Sequence, residues 1–210
     1  MTAMVRTIVV EDSLLAREAV VSRLTRLPNI TIVATLENAA NAVVACARRG
    51  IALVLMDVCT RDDESGLQAA ARIKRESPTT KVIIMTSMPE HTFLAKAQAA
   101  GCDSFWYKDL QAVGLVDVVA RTLQGERVWP SEAPVVRLGL ARSSELTARE
   151  FDVLHQLARG LSYEQIASEL GISLNTVKYH VKNLLAKTGF ESTLALVVEA
   201  VDKRLVLPKY

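Results

Sequence analysis

Five consecutive apolar residues, Ala52-Leu53-Val54-Leu55-Met56, run straight into Asp57. A strand that is apolar on both faces must be covered on both, so layers of chain have to lie above and below it. Further short apolar runs share this strand character: Thr7 to Val10, Ile30 to Thr35, Lys81 to Met85 and Ser104 to Tyr107. Between them the spacing turns helical. Val20, Leu24 and Leu27 recur at i, i+4 and i+7 and mark the inner stripe of the first helix. Others cover about Ala39 to Arg49, Leu67 to Glu76, Thr92 to Ala100 and Val113 to Gln124. Strands alternating with helices make βαβ units, and these make a doubly wound, five-stranded parallel sheet over residues 1–124.

From Gly125 to Ser144 the pattern fails. Trp129, Pro130, Pro134 and Gly139 break any sustained period, so 125–144 reads as a linker. Residues 145–210 then read as a small, all-α, four-helix unit. Thr147 with Glu150 and Ser162 with Gln165 are capping-box signatures that open two helices, and Gly160 and Gly171 close them. A third helix is predicted from about Asn175 to Thr188 and a fourth from about Thr193 to Val201.

Composition narrows the classes. No apolar run approaches the roughly 18 residues that span a bilayer, and no secretory segment precedes the first strand, so a cytoplasmic protein without a membrane partner is expected. Cys46, Cys59 and Cys102 are an odd number without a CxxC pair, which fits reduced thiols better than a zinc site. The net charge of +2 is too small for a whole domain coating nucleic acid, so any such surface must be local.

In a doubly wound sheet, ligands bind beyond the carboxyl ends of the strands. The residues there are Glu11 and Asp12 after strand one, Asp57 after strand three, Thr86 after strand four and Lys108 after strand five. Carboxylates crowded together repel unless a cation joins them, and hard oxygen donors suit Mg²⁺. With charge neutralised, one carboxylate can attack phosphorus, while an ammonium and a hydroxyl receive the phosphoryl oxygens.

Val10-Glu11-Asp12-Ser13, Met56-Asp57-Val58, Met85-Thr86-Ser87 and Phe105-Trp106-Tyr107-Lys108-Asp109, in this order, resemble the flavodoxin-like receiver domain of bacterial response regulators. The resemblance implies Asp57 as phospho-acceptor. It implies Mg²⁺ held by Glu11, Asp12, Asp57 and the backbone carbonyl of Cys59, with Thr86 and Lys108 on the phosphoryl group and Phe105 as a switch aromatic. A sensor histidine kinase would be the phosphodonor. The chain departs from the family in Glu11, where Asp is commoner, and in the loop Cys59 to Gly66, which is one residue longer and acidic.

The segment Leu170 to Phe190 has no acidic residue but carries Lys178, His180, Lys182 and Lys187. Lys178 and Lys182, at i and i+4, share one helix face. Two helices joined at Gly171-Ile172-Ser173 have the shape that places the second in a major groove. Leu146-Thr147-Ala148-Arg149-Glu150, Gly160-Leu161-Ser162, Ile166-Ala167 and Thr176-Val177-Lys178-Tyr179-His180 look like the LuxR-type helix-turn-helix. Here Thr193 stands where many members carry Arg. By that analogy Lys178, Tyr179 and Lys182 would face base edges, with Asn175, Thr176 and Lys187 nearer the DNA backbone.

The whole chain thus resembles the NarL/FixJ subfamily of response regulators. The resemblance implies a two-component transcription factor acting on double-stranded DNA, homodimeric when active. It would be no enzyme beyond its own phosphoryl uptake and autodephosphorylation. The acidic loop motivates an alternative: a phosphorylation-independent DNA-binding regulator whose receiver is a dimerisation or partner-binding platform.

Overall fold

The computed structural model describes residues 4–60, 65–109 and 114–207. Arg61 to Glu64 of the acidic loop, and Val113 at the start of the last receiver helix, lie outside the described residues. Contacts divide the chain into two units. The first runs to Ser87 and resumes from Phe93 to Glu132; the second takes in Met88–Thr92 and the chain from Ala133 onward.

The first unit follows the order β1 (Val5–Val10), α1 (Leu14–Leu24), β2 (Ile30–Leu36), α2 (Ala39–Arg49), β3 (Leu53–Asp57), α3 (Gly66–Glu76), β4 (Lys81–Thr86), α4 (Thr92–Ala99), β5 (Ser104–Tyr107) and α5 (Leu115–Leu123). All neighbouring strands are parallel, in the order β2-β1-β3-β4-β5. Every residue of β3 is buried, as its apolar run requires. One side of the sheet packs Val9, Leu53, Leu55, Ile83, Met85 and Trp106 against Val20 and Leu24 of α1 and Leu115, Val118 and Val119 of α5. Each fully buried aliphatic side chain contributes about 1.5–3 kcal/mol relative to exposure. The first helix is shorter than its periodicity suggested. It stops at Leu24, and Leu27 joins the core from the turn that follows, bonded by its N–H to Leu24 O.

The second unit contains a small hairpin of β6 (Arg137–Leu138) and β7 (Ala141–Arg142), a 3₁₀ turn (Ser143–Glu145), then α6 (Ala148–Ala158), α7 (Tyr163–Leu170), α8 (Leu174–Thr188) and α9 (Thr193–Asp202). Both capping boxes form: Thr147 with Glu150, and Ser162 with Gln165. Gly171 closes α7 at φ 62°, a left-handed conformation that side chains disfavour. Phe151, Leu154, Ile166, Val177, Val181, Leu184 and Leu196 make its core.

The aperiodic stretch 125–144 is ordered rather than free. Val128 is buried in the core of the first unit, whereas Leu138 and Ala141 of the hairpin belong to the second. Periodicity could not show this, because these pieces are too short to repeat.

Candidate metal centre and nucleic-acid interface

The strand register brings the expected residues to one rim. Thr7 to Val10 pair with Leu53 to Met56, so Glu11 and Asp57 leave adjacent strands at the same level. Oxygens of Glu11, Asp12 and Asp57 all lie within 4.8 Å of one another. Glu11 and Asp57 are buried and Asp12 is exposed, which leaves the cluster open on one side. Lys108 donates to Glu11 Oε2, and its Nζ lies 3.0 Å from Asp57 Oδ1. Its backbone N–H donates to Thr86 O at 2.8 Å, locking the end of β5 to the end of β4. Thr86 is buried beside it in the register, opposite Tyr107.

Electrostatics of the rim are tense. Burial pushes the Asp57 carboxyl up from an ordinary 3.8 to about 7; Lys108 opposes this, while Glu11 and Asp12 reinforce it. Burial also works against the Lys108 ammonium, but Asp57 and Glu11 outweigh it and raise its pKa. Three clustered carboxylate oxygens, only two of them met by the Lys108 ammonium, fit a divalent cation well.

The loop beyond Asp57 is pinned at both ends. Cys59 bridges to Ser65, and Thr60 Oγ1 accepts from Ala39 N–H at 3.1 Å. Gly66 N–H donates to Val58 O at 2.9 Å. A Cβ on Gly66 would fall 1.8 Å from the Asp57 carbonyl oxygen, so only glycine fits. This requirement was not read from the sequence, where Gly66 simply follows an irregular loop.

In the second unit, Ser173 caps α8 by accepting from Thr176 N–H at 3.1 Å. Asn175, Lys178 and Lys182 are exposed, Thr176 is half-buried, and Tyr179 is 61% exposed with its ring against His180. The opposite side of α8, Val177, Val181 and Leu184, is buried. Lys187, expected near the DNA backbone, is exposed and is also engaged by the fold. Its Nζ lies 2.8 Å from Glu150 Oε2 and donates to Glu145 O at 3.0 Å. Burial would raise the Glu150 carboxyl, yet Lys187 and the Thr147 N–H outweigh that and hold it below its usual range. The spacing of lysines alone could not reveal this, because the partner is 37 residues away.

The receiver domain model for response regulators matches residues 7–120, and the model for bacterial regulatory proteins of the luxR family matches residues 144–200. The chain is a LuxR-type response regulator. Its relatives include the response regulator protein VraR of Staphylococcus aureus, 31% identical over 96% of this chain and 99% of that one. The VraR of Staphylococcus epidermidis is 30% identical over the same shares. Among solved structures, the response regulator ChrA of a heme-sensing two-component system is 26% identical, with a TM-score of 0.53 over 97% of this chain and all of ChrA. RcsB of Salmonella enterica serovar Typhimurium, solved on promoter DNA with a phosphomimetic, shares the fold: TM-score 0.60, 17% identity, 94% of this chain and 98% of RcsB.

This response regulator is therefore a DNA-binding regulator and not a classical enzyme. No helix among its described residues is long and apolar enough to cross a membrane. Its receiver carries an acidic pocket suited to a divalent metal.

Proposed function

We propose that Asp57 accepts a phosphoryl group and that this controls DNA binding by α8. The observation that carries the reading is the convergence of Glu11, Asp12 and Asp57 oxygens within 4.8 Å, with the Lys108 ammonium between two of them. Glu11, Asp12, Asp57 and the Cys59 carbonyl would hold Mg²⁺, which when bound neutralises the rim and shields phosphoryl oxygens. An Asp57 carboxylate oxygen attacks phosphorus as the donor's P–N bond breaks; the phosphohistidine of a sensor kinase is the donor chemistry this needs. Lys108 then moves its ammonium from carboxylate to phosphoryl oxygen, and the Thr86 hydroxyl donates to another. Water attack on the acyl phosphate returns Asp57 to its free form, which is the only turnover expected. Thr86 and Phe105, two residues apart in register on adjacent strands, couple the site to the β4–β5 edge.

On DNA, the exposed Lys178, Tyr179 and Lys182 face base edges, while Asn175 and Thr176 sit nearer the backbone at the helix N-terminus. Lys187 serves α8 by anchoring its C-terminal end. The relatives' family and the pseudo-symmetry usual for helix-turn-helix operators support a homodimer as the active form, working in the cytoplasm.

The test is a DNA titration of the full chain with acetyl phosphate and Mg²⁺, beside Asp57→Asn. Affinity or dimerisation should change with phosphodonor in the wild type and stay fixed in Asp57→Asn. Full regulation by Asp57→Asn in cells would instead favour the platform reading.

A further inference from the structure

β5 is an edge strand, and an edge presents backbone groups that need partners. Here the partner is the segment that follows α5. Phe105 N–H donates to Val128 O at 2.9 Å, and Val128 N–H donates to Ser104 Oγ at 3.0 Å. Ser104 Oγ also lies 2.7 Å from Thr122 Oγ1, which donates to Val118 O at 2.6 Å within α5. The bond pattern fixes residue 128 to β5 and α5 at once, and Val128 is buried in the core they share.

The next residue, Trp129, places its ring 6.2 Å from that of Phe105 at 32°, and Phe105 also meets the Tyr107 ring at 4.8 Å. Phe105 is left 1% exposed. A row of three rings therefore runs from β5 onto the segment that enters the DNA-binding unit at Ala133. The same strand leads directly into Lys108, whose ammonium meets Asp57 and Glu11. β5 has only four residues, about 13 Å of extended chain, so a pull on Lys108 is delivered to Phe105 and Val128 with little length to absorb it.

We propose that Trp129 is a positioning residue: it reads the state of Phe105 and passes it to the segment leading into the DNA-binding unit. The inference rests on the phosphorylation reading of Asp57 above. A ring of this size gives the contact its geometry and its area, so Phe can replace it and Ala cannot. A Trp129 that only filled a gap would affect melting without touching the coupling between phosphorylation and DNA affinity.

The experiment uses the full chain as wild type, Trp129→Phe and Trp129→Ala. The probe is a duplex selected from a random pool by the wild-type protein. Each form is treated with acetyl phosphate and Mg²⁺, the phosphorylated fraction is read by gel mobility, and DNA affinity is measured with and without phosphodonor. The wild type should show a ratio between the two affinities of about 5–150-fold, the usual range of coupling between sites. Trp129→Ala should take up phosphoryl to the same extent yet bring that ratio to near one. Trp129→Phe should keep most of it. A wild-type ratio in Trp129→Ala would overturn the relay while leaving the phospho-switch standing. A ratio of one in the wild type itself would sink both.

Discussion

The acidic rim of the first unit joins side chains up to 97 residues apart, Glu11 to Lys108, whereas the exposed face of the second lies within one helix, from Asn175 to Lys182. The rim exists only if strand register is correct, since a slip of one residue would turn Asp57 or Lys108 away from the cluster. The helix face exists once α8 is capped and its apolar side is packed. Charge differs too. The rim buries like charges together, at a cost that a divalent cation bound there would lower. The helix face leaves its lysines in water, where they wait at little cost.

The most damaging test of this contrast is Gly66→Ala. A methyl group 1.8 Å from the Asp57 carbonyl forces the backbone apart, so the first unit should lose about 3 kcal/mol or more and its phosphoryl uptake. Low-salt DNA binding through α8 should survive. Loss of both in the folded protein would mean that the two sites are not built independently.

Asp57→Asn should act in the opposite direction. Its carboxyl has a folded pKa raised from 3.8 to about 7, so its ionisation opposes folding. That penalty is absent below about pH 4, where folded and unfolded forms are both protonated, and is complete above about pH 7. In chelator, the variant should melt higher by about 1–3 kcal/mol at pH 8, with the gain fading towards pH 4. A constant gain across that range would show that charge is not the cause.

Lys187→Ala sharpens the contrast from the other side. It strands the Glu150 carboxylate, which is buried while its partner is about a third exposed, so solvent screening limits the loss to about 1–2 kcal/mol. Glu150 has a lowered pKa, so the pair stabilises above the ordinary glutamate value and is lost as pH falls through the folded one. Urea melts should show the full loss at pH 7 and a shrinking one as the pH is taken down below the ordinary glutamate range.

Ser173→Ala removes the cap of α8 and should cost about 1 kcal/mol. Lys182→Ala should leave stability unchanged and cost about 1–3 kcal/mol in affinity for the selected duplex, with base preference relaxed at the position it faces. A fall of about one in the salt slope of DNA binding in Lys187→Ala would show that Lys187 also contacts a phosphate.

Much of the rim was legible because each member follows an apolar run, and the βαβ alternation dictates that strand ends gather. Glu11, Asp57, Thr86 and Lys108 could all be placed that way, and the helix face could be placed from caps and i, i+4 spacing. Gly66 escaped because its constraint is a backbone atom of another segment, which no local pattern records. Val128 and Trp129 escaped for the same reason: a single hydrogen-bonded residue and one ring contact have no period.

What the chain's order of residues determined alone was therefore the kind of element at each place and the end of each strand, since apolar periodicity and capping chemistry act over a few residues. Only the folded structure decided which charge meets which. It committed Lys187 to Glu150 and Lys108 to Asp57 and Glu11, and it laid Trp129 on Phe105. Pairings of this kind depend on distances between remote segments, and those distances are set when the sheet and the helices close around their cores.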